Sequence, residues 1–113
     1  MFHYTDVNGA FGISFTRTMR SSVAWPGLPR GAYATDIAPW DPSYTKTLLA
    51  EVFYFSPRRR RDVLRGGKLD WFVALCNDVD PLFRPVVGYP HQYVKPNGGR
   101  VNPIAFGLNP MAG

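Results

Sequence analysis

Short apolar stretches alternate with turn-forming residues along most of the chain. The 113 residues include 11 glycines and 11 prolines, and both residue types interrupt helices and strands. This spacing favours many short strands over a few long elements. We predict strands at residues 1–5, 15–19, 32–37, 70–77, 92–95 and 100–106.

Three of these strands carry further expectations. Residues 70–77 are apolar almost throughout, which is typical of a strand that is covered on both faces and lies centrally in its sheet. Residues 92–95 and 100–106 flank the segment Asn97-Gly98-Gly99. Because such a segment favours a tight turn, these two strands are predicted to form a hairpin.

Two helices are predicted, and the longer one covers residues 43–55. Its apolar positions recur at spacings of three and four, so one face of the helix is expected to pack on the core. Ser43 can cap the N-terminus, and Pro57 is expected to end the helix. The apolar positions are Leu48, Leu49, Val52, Phe53 and Phe55.

The second helix is short and begins after Asp6, whose carboxylate can accept a hydrogen bond as an N-cap. Gly9 and Gly12 are expected to limit its length because glycine is a poor helix former. Residues 25–31 contain two prolines and two glycines and are predicted to be a loop. Five or six strands with one or two helices indicate an α+β fold.

The length and composition indicate one compact domain spanning residues 1–113. A chain of this size matches a typical single domain, and 45% apolar residues can fill one core. No apolar run approaches the roughly 20 residues of a membrane span, and the N-terminus lacks the pattern of a signal peptide. We therefore expect a soluble monomer that acts in the cytoplasm or is delivered as part of a secreted effector.

The chain is poor in cysteine and histidine. Cys76 is the only cysteine and lies in an apolar run, so we expect a buried core thiol and no internal disulfide. His3 and His91 are the only histidines and are far apart in sequence. Because zinc sites are built from clustered histidine, cysteine and carboxylate ligands, the sequence predicts no metal site.

Positive charge is concentrated in a run of four arginines. The formal net charge of the chain is +5, and a basic balance favours acidic partners. Two interpretations of the run stay open: a solvated loop or helix end after Pro57, or a contact surface for a nucleic acid or an acidic protein. The candidate contacts to a macromolecular partner are Arg58, Arg59, Arg60 and Arg61.

Three segments combine residue types that suit a binding site. They are His3-Tyr4-Thr5-Asp6, residues 31–36 (GAYATD) and His91-Gln92-Tyr93-Val94. In this order they resemble the ADP-ribosyltransferase superfamily, which includes diphtheria toxin-like toxins, poly-ADP-ribose polymerases and small toxin domains with a His-Tyr-x-Asp signature. Tyr44 follows Tyr33 by eleven positions, the spacing typical of the paired tyrosines of that family. The resemblance implies a compact split sheet of short twisted strands.

The resemblance also implies a site for NAD as co-substrate. His3 would form a hydrogen bond with a ribose hydroxyl, and backbone groups at Tyr4 would bind the nicotinamide carboxamide. The rings of Tyr33 and Tyr44 would sandwich the cationic nicotinamide by stacking and cation–π attraction. The full set of predicted cofactor-binding residues is His3, Tyr4, Thr5, Tyr33, Thr35 and Tyr44.

Gln92 departs from the family pattern, which has glutamate at this position of the late strand. Cleavage of nicotinamide from ribose creates an oxocarbenium-like cation, and a carboxylate beside it stabilises that charge. Glutamine keeps a hydrogen bond and loses the charge, with an expected loss of about 10²–10³ in rate. The predicted catalytic residues are His3, Tyr33 and Gln92, and either Asp36 or Asp6 can supply a carboxylate from elsewhere.

By the same resemblance, the function is that of a mono-ADP-ribosyltransferase of toxin or effector type, which passes ADP-ribose from NAD to a macromolecule. Close alternatives are an NAD glycohydrolase and a catalytically silent NAD-binding relative. A basic nucleic-acid-binding module is the alternative from a different class, and it accounts for the charge and the 15% aromatic content. An immunity or inhibitor protein would be a further partner. The candidate cations for the NAD pyrophosphate are Arg17, Arg20 and Arg30.

Overall fold

The computed structural model describes residues 1–22 and 27–113 of the chain. These residues form eight strands and three helices, which confirms an α+β fold. The strands are β1 (Phe2–Thr5), β2 (Thr18–Met19), β3 (Gly31–Ala34), β4 (Trp71–Cys76), β5 (Arg84–Pro85), β6 (Tyr93–Pro96), β7 (Gly99–Arg100) and β8 (Asn102–Leu108). The helices are α1 (Val7–Thr16), α2 (Lys46–Phe53) and α3 (Pro57–Arg65).

The strands pair in three small antiparallel sheets within the described part of the chain. Their orders are β1-β4-β8, β2-β7 and β3-β6-β5. Strand β4 lies between β1 and β8, as its apolar run predicted, and Val73 near its middle is fully buried. None of the helices in the described residues combines the length and apolar character that a membrane crossing requires.

A backbone bridge joins the first sheet to the third. Phe2 and Thr35 each donate an N–H to the carbonyl oxygen of the other, both at 2.8 Å. Phe2 begins β1 and Thr35 directly follows β3, so the bridge sets the two strands side by side. His3 and Tyr33, which are distant in sequence, become neighbours across this joint.

Helix α1 is longer than its glycine content predicts. Asp6 caps it as expected and accepts a hydrogen bond from the Gly9 N–H at 2.8 Å. The helix nevertheless continues past Gly12 to Thr16, and Ala10 and Ile13 pack its inner face on the core. This packing opposes a cost of about 1 kcal/mol for each helical glycine. The predicted strand at residues 15–19 is therefore wrong in its first half, and only its end forms β2.

Helix α2 begins later than predicted. The Thr45 hydroxyl caps the helix and accepts a hydrogen bond from the Leu48 N–H at 3.1 Å. Ser43, the predicted cap, instead donates its backbone N–H to the Asp41 carboxylate at 2.9 Å. That contact holds Ser43 in the preceding turn, so the helix cap lies two residues beyond it, at Thr45.

The arginine run is helical and forms four of the nine residues of α3. Helix α2 already ends at Phe53, with Tyr54 as its C-cap, so the prediction that Pro57 ends it is wrong. Pro57 instead starts α3, because the N–H at a first helical position has no intrahelical partner. Ser56 caps the helix by accepting a hydrogen bond from the Arg59 N–H at 3.4 Å. The Arg60 guanidinium donates to the Tyr54 carbonyl at 2.7 Å and ties the start of α3 to the end of α2.

The predicted hairpin between residues 92–95 and 100–106 is wrong. Strand β6 pairs with β3 and β5, whereas β7 pairs with β2 and β8 with β4. Asn97 and Gly98 do form a turn with positive φ angles of 62° and 66°. A Cβ atom on Gly98 would lie 2.6 Å from the Met19 carbonyl oxygen. The turn therefore packs directly onto β2, and the chain continues there instead of returning along β6.

Cys76 is exposed, so the prediction of a core thiol is wrong. The buried residues of β4 are Val73, Ala74 and Leu75, and Cys76 is the last residue of the strand, where the chain leaves the core. A hydrogen bond to Asp78 raises the pKa of the Cys76 thiol. A raised pKa keeps the thiol protonated, which makes it a poor nucleophile at neutral pH.

The predicted loop at residues 25–31 lies partly outside the described residues. In the described part, residues 27–30 belong to no helix or strand, and Gly31 already begins β3. The following strand prediction, residues 32–37, is confirmed for its first half. Its second half leaves the sheet after the bridge at Thr35.

Candidate functional site

His3 is anchored by a hydrogen bond to the neighbouring strand. Its Nδ1 lies 2.8 Å from the Tyr33 carbonyl oxygen, and a carbonyl only accepts, so Nδ1 carries the proton. In the neutral ring Nε2 is then the acceptor. Burial lowers the pKa of His3, and the hydrogen bond to Tyr33 opposes this with a smaller effect. His3 is therefore neutral at pH 7 and offers a lone pair on Nε2.

His3 lines a cavity of about 700 Å³, which we call the main cavity. It is open to solvent on one side and is lined by β1, β2, β3, one face of α1, the end of α2 and the start of α3. Its volume falls within the range of small-molecule and cofactor sites. The wall residues with polar or aromatic chemistry include His3, Arg20, Tyr33, Tyr54, Arg59 and Gln92.

Tyr33 contributes an aromatic ring to the main cavity from β3. Its hydroxyl donates a hydrogen bond to the Pro29 carbonyl, which ties the ring to the loop before β3. Burial raises the pKa of Tyr33, so the hydroxyl stays protonated at neutral pH. The structure thus brings together two predicted site residues, His3 and Tyr33, at one wall.

Tyr54 and Arg59 form a second aromatic and cationic part of the wall, which the sequence did not predict. Arg59 Cζ lies 5.7 Å from the centroid of the Tyr54 ring, a cation–π contact. Burial raises the pKa of Tyr54, while the charges of Arg59 and Lys68 act in the opposite direction. The sequence did not predict this pair, because Pro57 lies between Tyr54 and Arg59 and indicated the end of a helix. A proline at that position gave no sign that a second helix begins there.

Among the three arginines proposed for the pyrophosphate, Arg20 lines the main cavity. Arg17 instead donates to Asn102 Oδ1 at 2.8 Å, and Arg30 is not part of the wall. Arg59 adds a second guanidinium group. The described part of the wall contains no aspartate or glutamate. Two cations without a carboxylate favour an anionic ligand.

Two of the five residues that helix α1 contributes to the main cavity wall are glycines. Gly9 and Gly12 both line it. A Cβ atom on Gly12 would meet no atom within 4 Å, so this part of the helix faces open space. At Gly9 a Cβ atom would lie 2.0 Å from Thr5 Oγ1. Thr5, a predicted cofactor contact, thus packs against α1 and is not part of the wall.

Tyr4 and Thr35 are held by the protein itself. The Tyr4 ring is buried and its hydroxyl donates to the Ile37 carbonyl at 2.7 Å, although the residue contributes to the cavity wall. Burial raises the pKa of Tyr4. Thr35 is fully buried, accepts a hydrogen bond from the Ile37 N–H at 3.1 Å and lies outside the wall. Both residues shape the segment after β3.

Tyr44 lies in a different place from Tyr33. It lines a second cavity of about 620 Å³, which we call the side cavity. There its ring lies 6.3 Å from the ring of His91, centroid to centroid. Tyr44 is not part of the main cavity wall. The eleven-residue spacing therefore does not place both tyrosines in one cavity.

Gln92 stands between the two cavities and lines both. It directly precedes β6, and only 3% of its surface is exposed. Its side-chain Nε2 donates to the Val52 carbonyl at 2.6 Å. The amide therefore acts as a hydrogen-bond donor that holds β6 against the end of α2.

The two carboxylates proposed to replace a glutamate are engaged elsewhere. Asp6 caps α1 and pairs with Lys68 at 2.6 Å, and the Lys68 and Gly9 hydrogen bonds hold the pKa of this carboxyl below its usual range. Asp36 contacts His91 at 2.8 Å. Neither carboxylate lines the main cavity.

Metal ligands do not cluster in the described residues. No three side chains from histidine, cysteine, aspartate or glutamate come together there in a metal-binding arrangement. Comparison of the chain with protein-family models, with curated proteins and with solved structures found no match in any of the three.

Proposed function

We propose that the main cavity binds NAD and that the protein acts as a mono-ADP-ribosyltransferase of toxin or effector type. The observation that carries this proposal is the cavity wall, in which a neutral histidine, three tyrosines and two arginines line about 700 Å³. Three sheets, two of them joined by the bridge between Phe2 and Thr35, are compatible with the split sheet of the ADP-ribosyltransferase fold. A glycohydrolase that passes ADP-ribose to water uses the same site.

The wall residues suit the parts of the dinucleotide. Arg20 and Arg59 can bind the pyrophosphate, because guanidinium groups match phosphate oxygens in charge and geometry. The Nε2 lone pair of His3 can accept a hydrogen bond from a ribose hydroxyl. Tyr33 and Tyr54 offer aromatic faces for the cationic nicotinamide. When the bond from ribose to nicotinamide breaks, nicotinamide leaves as a neutral molecule and positive charge develops on the ribose.

The described wall has no carboxylate to stabilise that charge. Gln92 offers an amide instead, so we expect slower turnover than in transferases that carry glutamate, by about 10²–10³. The decisive experiment incubates the pure protein with labelled NAD and measures nicotinamide release, label transfer to lysate and NAD binding by calorimetry. Absence of both binding and release would rule out the proposal. Binding without release would identify a catalytically silent NAD-binding relative.

A matched pair of tyrosine variants tests which ring contacts the nicotinamide. We expect Tyr54→Leu to weaken NAD binding about tenfold, because the substitution removes an aromatic face worth roughly 1.4 kcal/mol and retains apolar bulk. Tyr44→Leu is expected to leave the Kd for NAD within about twofold. Calorimetric titration of both variants measures this. A larger loss of NAD affinity in Tyr44→Leu than in Tyr54→Leu would indicate that Tyr33 and Tyr44 bind the nicotinamide together, as the sequence predicted.

The exposed arginines of α3 support a second proposal, an anionic macromolecular partner. Arg58 and Arg61 are exposed, and none of the ion pairs in the described residues involves an arginine of this helix. The first turn of α3 contains no acidic residue, although the helix dipole favours negative charge there. The helix dipole therefore does not account for Arg58 and Arg61, and their exposed guanidinium groups suit the binding of phosphate groups.

Removing the exposed positive charges of α3 tests whether this helix binds an anionic macromolecule. For Arg58→Ala combined with Arg61→Ala, we expect weaker binding to a fluorescent single-stranded oligonucleotide. The slope of log K against log salt should become shallower by about 1.4, at roughly 0.7 per lost phosphate contact. The control pair, Arg84→Ala with Arg100→Ala, removes the same charge from exposed positions on other elements. Equal losses for both pairs would show a net-charge effect without a defined surface.

A further inference from the structure

A polar cluster lies outside the main cavity at Asp36, His91 and Tyr93. His91 Nδ1 lies 2.8 Å from Asp36 Oδ1, and the Tyr93 hydroxyl donates to Asp36 Oδ2 at 3.2 Å. The Asp36 charge raises the pKa of Tyr93, so its hydroxyl stays protonated and remains a donor. The carboxylate is thus held by Tyr93 and orients the imidazole with Nδ1–H toward Asp36, so that Nε2 faces away from the carboxylate.

The backbone at His91 is strained. Its φ angle is +66°, in the left-handed region that residues with a side chain rarely adopt. The side chains of His91 and Asp36 are each 44% exposed, and ion pairs with this exposure contribute little to stability. A β-turn accounts for the φ angle, because Pro90 precedes His91 and the Gln92 N–H donates to the Tyr89 carbonyl at 3.2 Å.

His91 belongs to the aromatic wall of the side cavity. The wall also contains Tyr44, Phe55 and Tyr89, and the rings of Phe55 and Tyr89 lie 5.4 Å apart, centroid to centroid. Aromatic side chains of this kind stack on nucleobases. The Glu51 carboxylate, also in the wall, can accept hydrogen bonds from the amino groups of a base.

The side cavity adjoins both the arginine helix and the main cavity. Phe55 directly precedes Ser56, the cap of α3, so the exposed arginines begin next to the aromatic wall. Gln92 lines both cavities, and His91 is its neighbour in sequence. A group bound in the side cavity therefore lies beside His91 and beside Gln92, the residue that both cavities share.

We propose that the side cavity binds a nucleoside group of a single-stranded nucleic acid and that His91 Nε2 accepts the proton of its attacking oxygen or nitrogen. This inference rests on the proposed function of the main cavity. The attacking atom forms a bond to C1′ of the NAD ribose, and its proton goes to Nε2. The bond from C1′ to nicotinamide breaks, and neutral nicotinamide leaves with the electron pair. The α3 arginines hold the neighbouring phosphates.

The first test separates proton transfer from NAD binding. With labelled NAD and a mixed-sequence single-stranded RNA or DNA oligonucleotide, His91→Ala is expected to lower label transfer by about 10²–10⁴, the usual contribution of a general base. Its Kd for NAD should stay within about twofold of wild type. Transfer at the wild-type rate would overturn the role of His91. So would an equal loss of NAD binding, which would indicate a structural effect.

The second test measures the side cavity without NAD. Tyr44→Leu is expected to weaken oligonucleotide binding about tenfold, the effect of losing one stacked base, while circular dichroism and thermal unfolding check the fold. Unchanged oligonucleotide binding would overturn the nucleoside site. Transfer of label to proteins of a lysate and not to the oligonucleotide would do so as well. If the oligonucleotide binds through Tyr44 but NAD is not cleaved, the proposed function and the role of His91 fail, and the nucleoside site stands.

Discussion

Replacing His3 by asparagine is expected to lower NAD cleavage by about 10²–10³ while the domain stays folded. The Asn side-chain N–H₂ group lies close to the position of imidazole Nδ1, so it can still donate to the Tyr33 carbonyl that accepts from His3 at 2.8 Å. What the variant lacks is the distal Nε2, the atom proposed to bond the ribose. Steady-state nicotinamide release and a thermal melt measure the two effects separately.

His3→Gln is the matched variant. Glutamine places an amide near the distal position and loses the near contact to Tyr33, so we expect a lower melting temperature and a smaller loss of activity than for asparagine. Full activity in His3→Asn would show that His3 serves only to join β1 to β3. The NAD site would then have to be assigned without it.

The burial of the His3 ring also makes the free energy of unfolding depend on pH. Burial lowers its folded-state pKa, so the unfolded chain, with a pKa near 6.5, binds the proton more readily. The contribution to stability is fully present above about pH 6.5 and is lost as pH falls through the folded-state pKa. We expect wild type to lose stability in acid relative to His3→Asn, as followed by urea unfolding across this range. Parallel curves for the two proteins would contradict this.

Replacing Gln92 by glutamate is expected to destabilise the protein at neutral pH by roughly 3 kcal/mol. A Glu carboxylate would face the Val52 carbonyl, which accepts from Gln92 Nε2 at 2.6 Å, and two acceptors repel in a buried site. A protonated Glu can donate as the amide does. The penalty should therefore be small below pH of about 4.3, the usual pKa of glutamate, and grow as pH rises.

Gln92→Leu separates the charge from the lost hydrogen bond. It leaves the Val52 carbonyl without its donor, at a cost of about 1–3 kcal/mol that does not depend on pH. Urea unfolding of both variants at pH 4.5 and 7.5 gives the comparison. A stable Gln92→Glu variant with faster nicotinamide release would contradict this prediction. It would instead support the alignment of Gln92 with the glutamate of the transferases.

Local patterns in the sequence were sufficient for several elements. The apolar run at residues 70–77 predicted a central strand, and β4 is one because only a strand covered on both faces can bury such a run. Asp6 was predicted to cap α1 and does so. The helix cap depends on contacts between residues close in sequence. The central strand depends on an apolar composition that is stable only where both faces of the strand are covered. For the same reason the α+β class could be predicted.

The candidate site depended much more on long-range contacts. His3 and Tyr33 were predicted site residues, but their proximity follows from the bridge between Phe2 and Thr35, which no local pattern encodes. Tyr44 was expected beside Tyr33 and lies in the side cavity. Sequence spacing could not decide this, because the turn before Thr45 sets where α2 begins and which cavity Tyr44 lines.

What the sequence by itself determined was the fold class, the central strand, the first helix cap and the chemical types available for a site. The tertiary structure decided which of those groups meet. Gly98 approaches the β2 backbone too closely for any side chain, and this contact redirects the strand that was predicted to form a hairpin. Arg60 ties α3 to the end of α2, and the adjacent Arg59 lies over the Tyr54 ring in the cavity wall. Such contacts join residues through packing and hydrogen bonds between elements, so they exist only once the elements have assembled.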